Sequence, residues 1–183
     1  MNIQPNLQMD KSAFLAWVEG REERYELAEG RVVMMTGSTM SHALIVRNVF
    51  AMLDSILDRK IWTVLTEFGV DVGPHSVRYP DVVVDPRGAK PKDRTAKAPA
   101  FVVEVLSPST ETIDLGDKAA EYLGLPSVVA YLVLSQDEIK GWLYVRGVTT
   151  GPLVVMGEEK SISVATLGIE LPLSEVYADV EFE

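Results

Sequence analysis

Apolar positions along the chain recur with two periods, and the switches between them mark out the elements. Over residues 11–19, Phe14, Trp17 and Val18 share one helical face, and Asp10 stands where it can cap the first turn. Residues 25–27 and 31–35 read as two strands about a tight turn at Glu29-Gly30. Ser41 then caps a longer helix to about Asp58, whose Ile45, Val49, Met52, Leu53, Ile56 and Leu57 form one apolar stripe. Residues 62–72 alternate apolar side chains with Glu67, Gly69 and Asp71, the pattern of a half-buried strand. After Gly73-Pro74, residues 77–84 read as a second strand.

Residues 101–106 are apolar at every position but Glu104, which predicts a central strand covered on both faces. Ser107-Pro108-Ser109-Thr110 ends it, and a helix follows to about Gly124 with Ala119, Ala120 and Leu123 turned inward. A buried strand over 128–134 comes next, with 139–145 as its hairpin partner, and short strands and turns from Leu153 onward. Strand 101–106, the helix over about 112–124 and strand 128–134 make one βαβ crossover. The expectation is an α+β fold, a mixed sheet flanked by helices with extra β-hairpins, in a single domain over 1–183.

Composition narrows the chemistry. A hydrophobic fraction of 47% suits a packed globule. The longest apolar run, 128–134, is far short of the ~20 residues a membrane-spanning helix needs. Asp10 and Lys11 stand where a secretory leader would be apolar, so a cytoplasmic location and no membrane partner are expected. With no cysteine, thiolate sites and cysteine nucleophiles are excluded, and with only His42 and His75 a histidine-rich metal centre is not expected, which leaves mainly carboxylates and lysines, with room for one histidine. The net charge of −10 argues against tight nucleic-acid binding, although local charge decides such contacts. One basic run, Arg87, Lys90, Lys92, Arg94 and Lys97, reads first as a solvated loop.

Glu104 is the most informative residue. An ionised carboxylate inside a central strand costs several kcal/mol unless it is paired, protonated or bound to a cation. Asp81 follows Pro80, which cannot donate to a ladder and so belongs at a strand start, edge or bulge. Two carboxylates on neighbouring strands at one rim repel unless a cation lies between them, and oxygen ligands select Mg²⁺ or Mn²⁺. Lys118, four residues after Asp114, is either an exposed helix lysine paired with that aspartate or a catalytic cation beside the two carboxylates. Glu26 on its short strand, His42 at a helix start and His75 in a loop read as ordinary surface or structural residues. Glu67 and Asp71 fall on a solvated face by alternation.

Pro80-Asp81, twenty-two intervening residues and Glu104-Val105-Leu106 resemble the PD-(D/E)XK nuclease motif. The wider pattern is more specific: Tyr25-Glu26-Leu27, Ser41-His42, Arg78-Tyr79-Pro80-Asp81, Val103 to Thr110 and Asp114-Leu115-Gly116-Asp117-Lys118 with Tyr122. It is similar to the Uma-type family of restriction-endonuclease-like proteins, over roughly residues 10 to 146. The resemblance implies a Mg²⁺- or Mn²⁺-dependent endonuclease acting transiently on DNA, with Asp81, Glu104 and the Val105 carbonyl as metal ligands. It implies that Glu26 approaches the same metal, and a homodimer would suit cutting both strands. Leu106 stands where the motif expects a lysine, and Lys118, reaching back from the next helix, is the substitute. The rival expectation is a nuclease-fold binding or regulatory module with little catalysis.

Overall fold

A long bent hairpin shared between two mixed sheets sets the architecture. The computed structural model describes residues 2–35, 37–106, 114–148 and 151–182. The first sheet has the order β1 (Asn2–Gln8), β3 (Arg31–Met34), β2 (Tyr25–Ala28), β6 (Ser76–Arg78), β5 (Gly69–Gly73), β8 (Thr95–Ala96). The second runs β12 (Leu153–Met156), β11 (Lys140–Val145), β10 (Ala130–Leu134), β9 (Phe101–Val105), β7 (Val82–Pro86), β4 (Trp62–Thr66). β13 (Ser161–Val164) and β14 (Ile169–Pro172) form a separate hairpin. The helices are α1 (Lys11–Trp17), α2 (Met40–Ile56), α3 (Asp117–Gly124) and the short α4 (Leu173–Val176).

The expected crossover is present: β9 and β10 run parallel in the register Glu104↔Val133, with α3 between them in sequence. The start of that helix and Ser107 to Thr110 lie outside the described residues. β9 is buried at all five positions, and its alternation sorts the core into two layers. Phe101, Val103 and Val105 face the stripe Ile45, Val49 and Leu53 of α2. Val102 faces the other way, with Val83, Val133, Ala119 and Tyr122. Each fully buried Val, Leu or Ile is worth ~1.5–3 kcal/mol over leaving it exposed, so these layers fix β9 firmly. The chain after Leu153 closes the α2 layer with Ile162, Leu171, Leu173 and Val176.

Two expectations need correction. Residues 62–72 are not one strand but β4 and β5, and residues 77–84 are not one strand but β6 and β7. β4 pairs with β7 up to Thr66↔Val82 in the second sheet, while β5 pairs with β6 from Val70↔Arg78 in the first. The hairpin therefore creases at residues 67–69 and 79–81. Glu67 takes a left-handed φ of +53° there, and its N–H reaches the carbonyls of Pro80 and Asp81. Pro80, having no N–H to give, sits on the crease as a residue at a strand start should. Gly69 lies where a Cβ would come 2.6 Å from the Arg94 carbonyl oxygen, so the approach of β8 to β5 requires glycine. Thr39 rather than Ser41 caps α2, its hydroxyl accepting from the His42 N–H. The strand at Asn2–Gln8 has no counterpart in the expected elements. Among the described residues no helix is long and apolar enough to cross a membrane.

Candidate metal and phosphate site

The crease delivers Asp81 to the end of β9. β7 and β9 pair antiparallel as Val82↔Val103, and one further step of that ladder sets Asp81 opposite Glu104. Asp81 Oδ2 accepts the Val105 N–H at 2.7 Å, closing the strand end. A strand residue's N–H and C=O project to the same side, so the Val105 carbonyl is also directed toward Asp81. Both carboxylates line one cleft of about 610 Å³, together with Glu26, His42, Glu67 and Lys118.

Lys118 is buried, which corrects the expectation of an exposed helix lysine, and it pairs with Asp114 while also reaching Glu104. Its Nζ lies 2.9 Å from Glu104 Oε1 and 2.8 Å from Asp114 Oδ1. Tyr122, one turn further along α3, donates its hydroxyl to the same Glu104 Oε1 at 3.0 Å. Burial drives the Glu104 carboxyl up to about 8 against the attraction of Lys118, and the charges of Asp114 and Asp81 add to the rise. Burial opposes the charge on Lys118, but Glu104, Asp114 and Glu26 outweigh it and hold the ammonium protonated well above its ordinary range.

Glu26 reaches the cleft from β2 but is committed elsewhere. Its Oε1 accepts from Arg78 Nη1 at 3.0 Å, and Arg78 also donates from Nε to Glu121 at 2.7 Å. His42 departs further from the expected ordinary helix-start histidine. Its Nε2 stands 3.3 Å from Asp81 Oδ2. Burial would lower its pKa, yet the hydrogen bond and charge of Asp81, with Glu67 and Asp114 behind, raise it. Glu67 pairs with Arg24 on the cleft wall, and Asp71 pairs with Lys11 away from it. Arg87 donates to the Arg59 carbonyl, Arg94 pairs with Glu19 and Lys97 with Asp93, so these members of the basic run are engaged by the protein itself.

A hard divalent cation fits this donor set. The cluster brings five carboxylates, Glu26, Asp81, Glu104, Asp114 and Glu121, against two permanent cations, Arg78 and Lys118. Among the described residues His42 Nδ1 is buried without a hydrogen-bond partner, whereas Asp114 Oδ1 is held in its ion pair with Lys118. No three side chains of His, Asp or Glu among those residues close on one point as ligands. Two carboxylates with a main-chain carbonyl and water match the way Mg²⁺ is held, since it keeps several waters. The pairing of Glu104 with Tyr122, the facing of Asp81 by His42 and the Arg78 bridge were not foreseen, because each joins residues of separate elements with no local spacing to betray it.

Fold and cleft together define a protein of the restriction-endonuclease-like class. A putative nuclease belonging to DUF820 from Anabaena variabilis ATCC 29413 superposes with a TM-score of 0.77 at 17% identity, covering 93% of this chain and 98% of that one. The uncharacterized protein slr1290 of Synechocystis sp. is 26% identical over 185 residues, 97% of this chain and 96% of its own length. The model of the Uma2 family, described as "Putative restriction endonuclease", matches residues 12–174. The chain belongs to the Uma2 family.

Proposed function

We propose that the protein is a Mg²⁺- or Mn²⁺-dependent endonuclease that hydrolyses DNA phosphodiesters in the cleft at Asp81 and Glu104. The observation that carries this reading is the register of β7 and β9, which sets those two carboxylates side by side with Lys118 at Glu104. Asp81, Glu104 and the Val105 carbonyl would hold the metal. When bound, the metal would lower the pKa of a water and offset charge on the scissile phosphate. The water oxygen bonds to phosphorus as the ester bond breaks, and the proton the water gives up to solvent is balanced by the one the leaving oxygen takes from it.

Lys118 is held protonated by its carboxylate neighbours, so its role is to offset the negative charge that develops on phosphorus oxygens, not to accept a proton. Its position replaces the lysine that Leu106 lacks. Glu26, tied to Arg78, contributes by fixing the wall from which Arg78 and Glu121 shape the cleft, and through its charge on Lys118. His42 orients Asp81. The acidic surface supports brief contact with the polymer, since few phosphates are neutralised.

Cutting of supercoiled plasmid and of single-stranded oligonucleotides in Mg²⁺ or Mn²⁺ tests the proposal. Asp81→Asn and Glu104→Gln are expected to slow it by about 100-fold or more while circular dichroism and melting remain native-like. DNA binding without metal-dependent cutting by the unaltered protein would instead mark a nuclease-fold binding module.

A further inference from the structure

The outer strand of the second sheet is an open, wholly apolar edge. β12 pairs with β11 in the register Leu143↔Leu153, Trp142↔Val154, Gly141↔Val155 and Lys140↔Met156, and among the described residues no strand covers its far side. All four residues of β12 are apolar, with Leu153 44%, Val154 53% and Met156 50% exposed. Edge strands are normally blunted by charge, proline, a bulge or brevity. β8, at an edge of the first sheet, follows that rule with two residues between Arg94 and Lys97. β12, four residues long, carries no charge, proline or bulge between Leu153 and Met156, its proline and acidic residues lying just outside at Pro152, Glu158 and Glu159.

The ladder dictates how this edge can be filled. Gly157 donates its N–H to the Ile139 carbonyl, one step beyond the paired strand, so odd-numbered residues of β12 turn their main-chain groups inward to β11. Val154 and Met156 therefore present N–H and C=O outward. A second β12 running antiparallel meets them in a closed two-fold pattern when Val154 of each copy exchanges both hydrogen bonds with Met156 of the other. The dyad then passes at Val155, and the two Val155 side chains face each other in a non-hydrogen-bonded pair.

Charge agrees with that register. It sets Glu158 opposite Pro152 and Glu159 opposite Gly151 of the other copy, so neither acidic residue meets its like. On one face Val155 continues the core layer it already packs against. On the other, Val154 and the second copy's Met156 extend the partly buried aromatic strip of Trp142 and Tyr144.

We propose that β12 is a homodimerisation edge, joining two copies of this chain into one continuous sheet through antiparallel Val154–Met156 pairing about a dyad at Val155. The inference is independent of the proposed nuclease activity, because the cleft lies on β7 and β9 and takes no residue from β12.

The chain has no cysteine, so the register can be read directly by cross-linking. Val155→Cys is expected to form a disulfide-linked dimer almost completely under mild oxidation, since opposed non-hydrogen-bonded positions bring Cβ atoms within reach. Met156→Cys, whose like residue is displaced along the strand, is expected to cross-link at least tenfold more slowly. Sedimentation of the unaltered protein from roughly 1 to 200 µM is expected to show a monomer–dimer equilibrium. Val154→Pro, which removes an outward N–H and no inward one, is expected to shift it to monomer with the fold intact by circular dichroism. A monomer throughout that range, or equal cross-linking by both cysteine variants, would overturn the proposal whatever the nuclease assay gives.

Discussion

Buried beneath α3, the Glu104 carboxyl answers to Lys118, Tyr122, Asp114 and Asp81 at once. Lys118 is the cation that lets Glu104 and Asp114 share a dry site, so Lys118→Met leaves two buried carboxyls facing each other. A loss of about 3–5 kcal/mol in unfolding free energy is expected, measured by urea denaturation. Adding Glu104→Gln to that variant is expected to restore part of the loss, which marks the two residues as coupled. Tyr122→Phe removes one donor from a buried carboxyl and is expected to cost about 1–3 kcal/mol. Glu104 itself was legible in the sequence, because a single carboxylate inside an apolar strand has few physical excuses. Lys118 was half legible: its spacing from Asp114 was plain, but its reach to Glu104 depends on how α3 lies on the sheet. His42 was not legible, since a histidine opening a helix looks the same whether it faces solvent or an aspartate.

At the scale of elements, the crease in the β4–β7 hairpin places the site. Unbroken alternation over 62–72 concealed it, because a strand that passes from one sheet to another keeps its two-residue period. The clues were Gly69 and Pro80, one needed for close approach and the other unable to donate. Glu67 bears a left-handed backbone at the crease, at a cost of roughly 1–2 kcal/mol for a residue with a Cβ. Glu67→Gly is therefore expected to raise stability by up to about 1 kcal/mol in urea denaturation, the exposed pair with Arg24 contributing little. Gly69→Ala forces a Cβ against the Arg94 carbonyl and is expected to lower stability by about 1–3 kcal/mol. The βαβ unit, in contrast, was plain from pattern alone, since two buried strands joined by an amphipathic helix have few arrangements.

Across the whole molecule, a net charge of −10 surrounds a cleft that already carries more carboxylates than cations. DNA encounter under the proposed function is thus expected to be weak, and the residues after Gly157 serve the folding of the layer around α2. Ile162, Ile169, Leu171 and Val176 belong to the layer that clamps α2 against β9. Deleting the chain beyond residue 157 is expected to give aggregated protein without a cooperative melt, as judged by light scattering and calorimetry. The claim on which the functional reading rests is that Asp81 and Glu104 share one hard cation. Anomalous diffraction from crystals soaked in Mn²⁺ measures it directly. The expected result is a peak about 2.0–2.3 Å from an oxygen of each carboxylate and beside the Val105 carbonyl. A peak bound by only one of them, or none in the cleft at saturating Mn²⁺, would contradict the account.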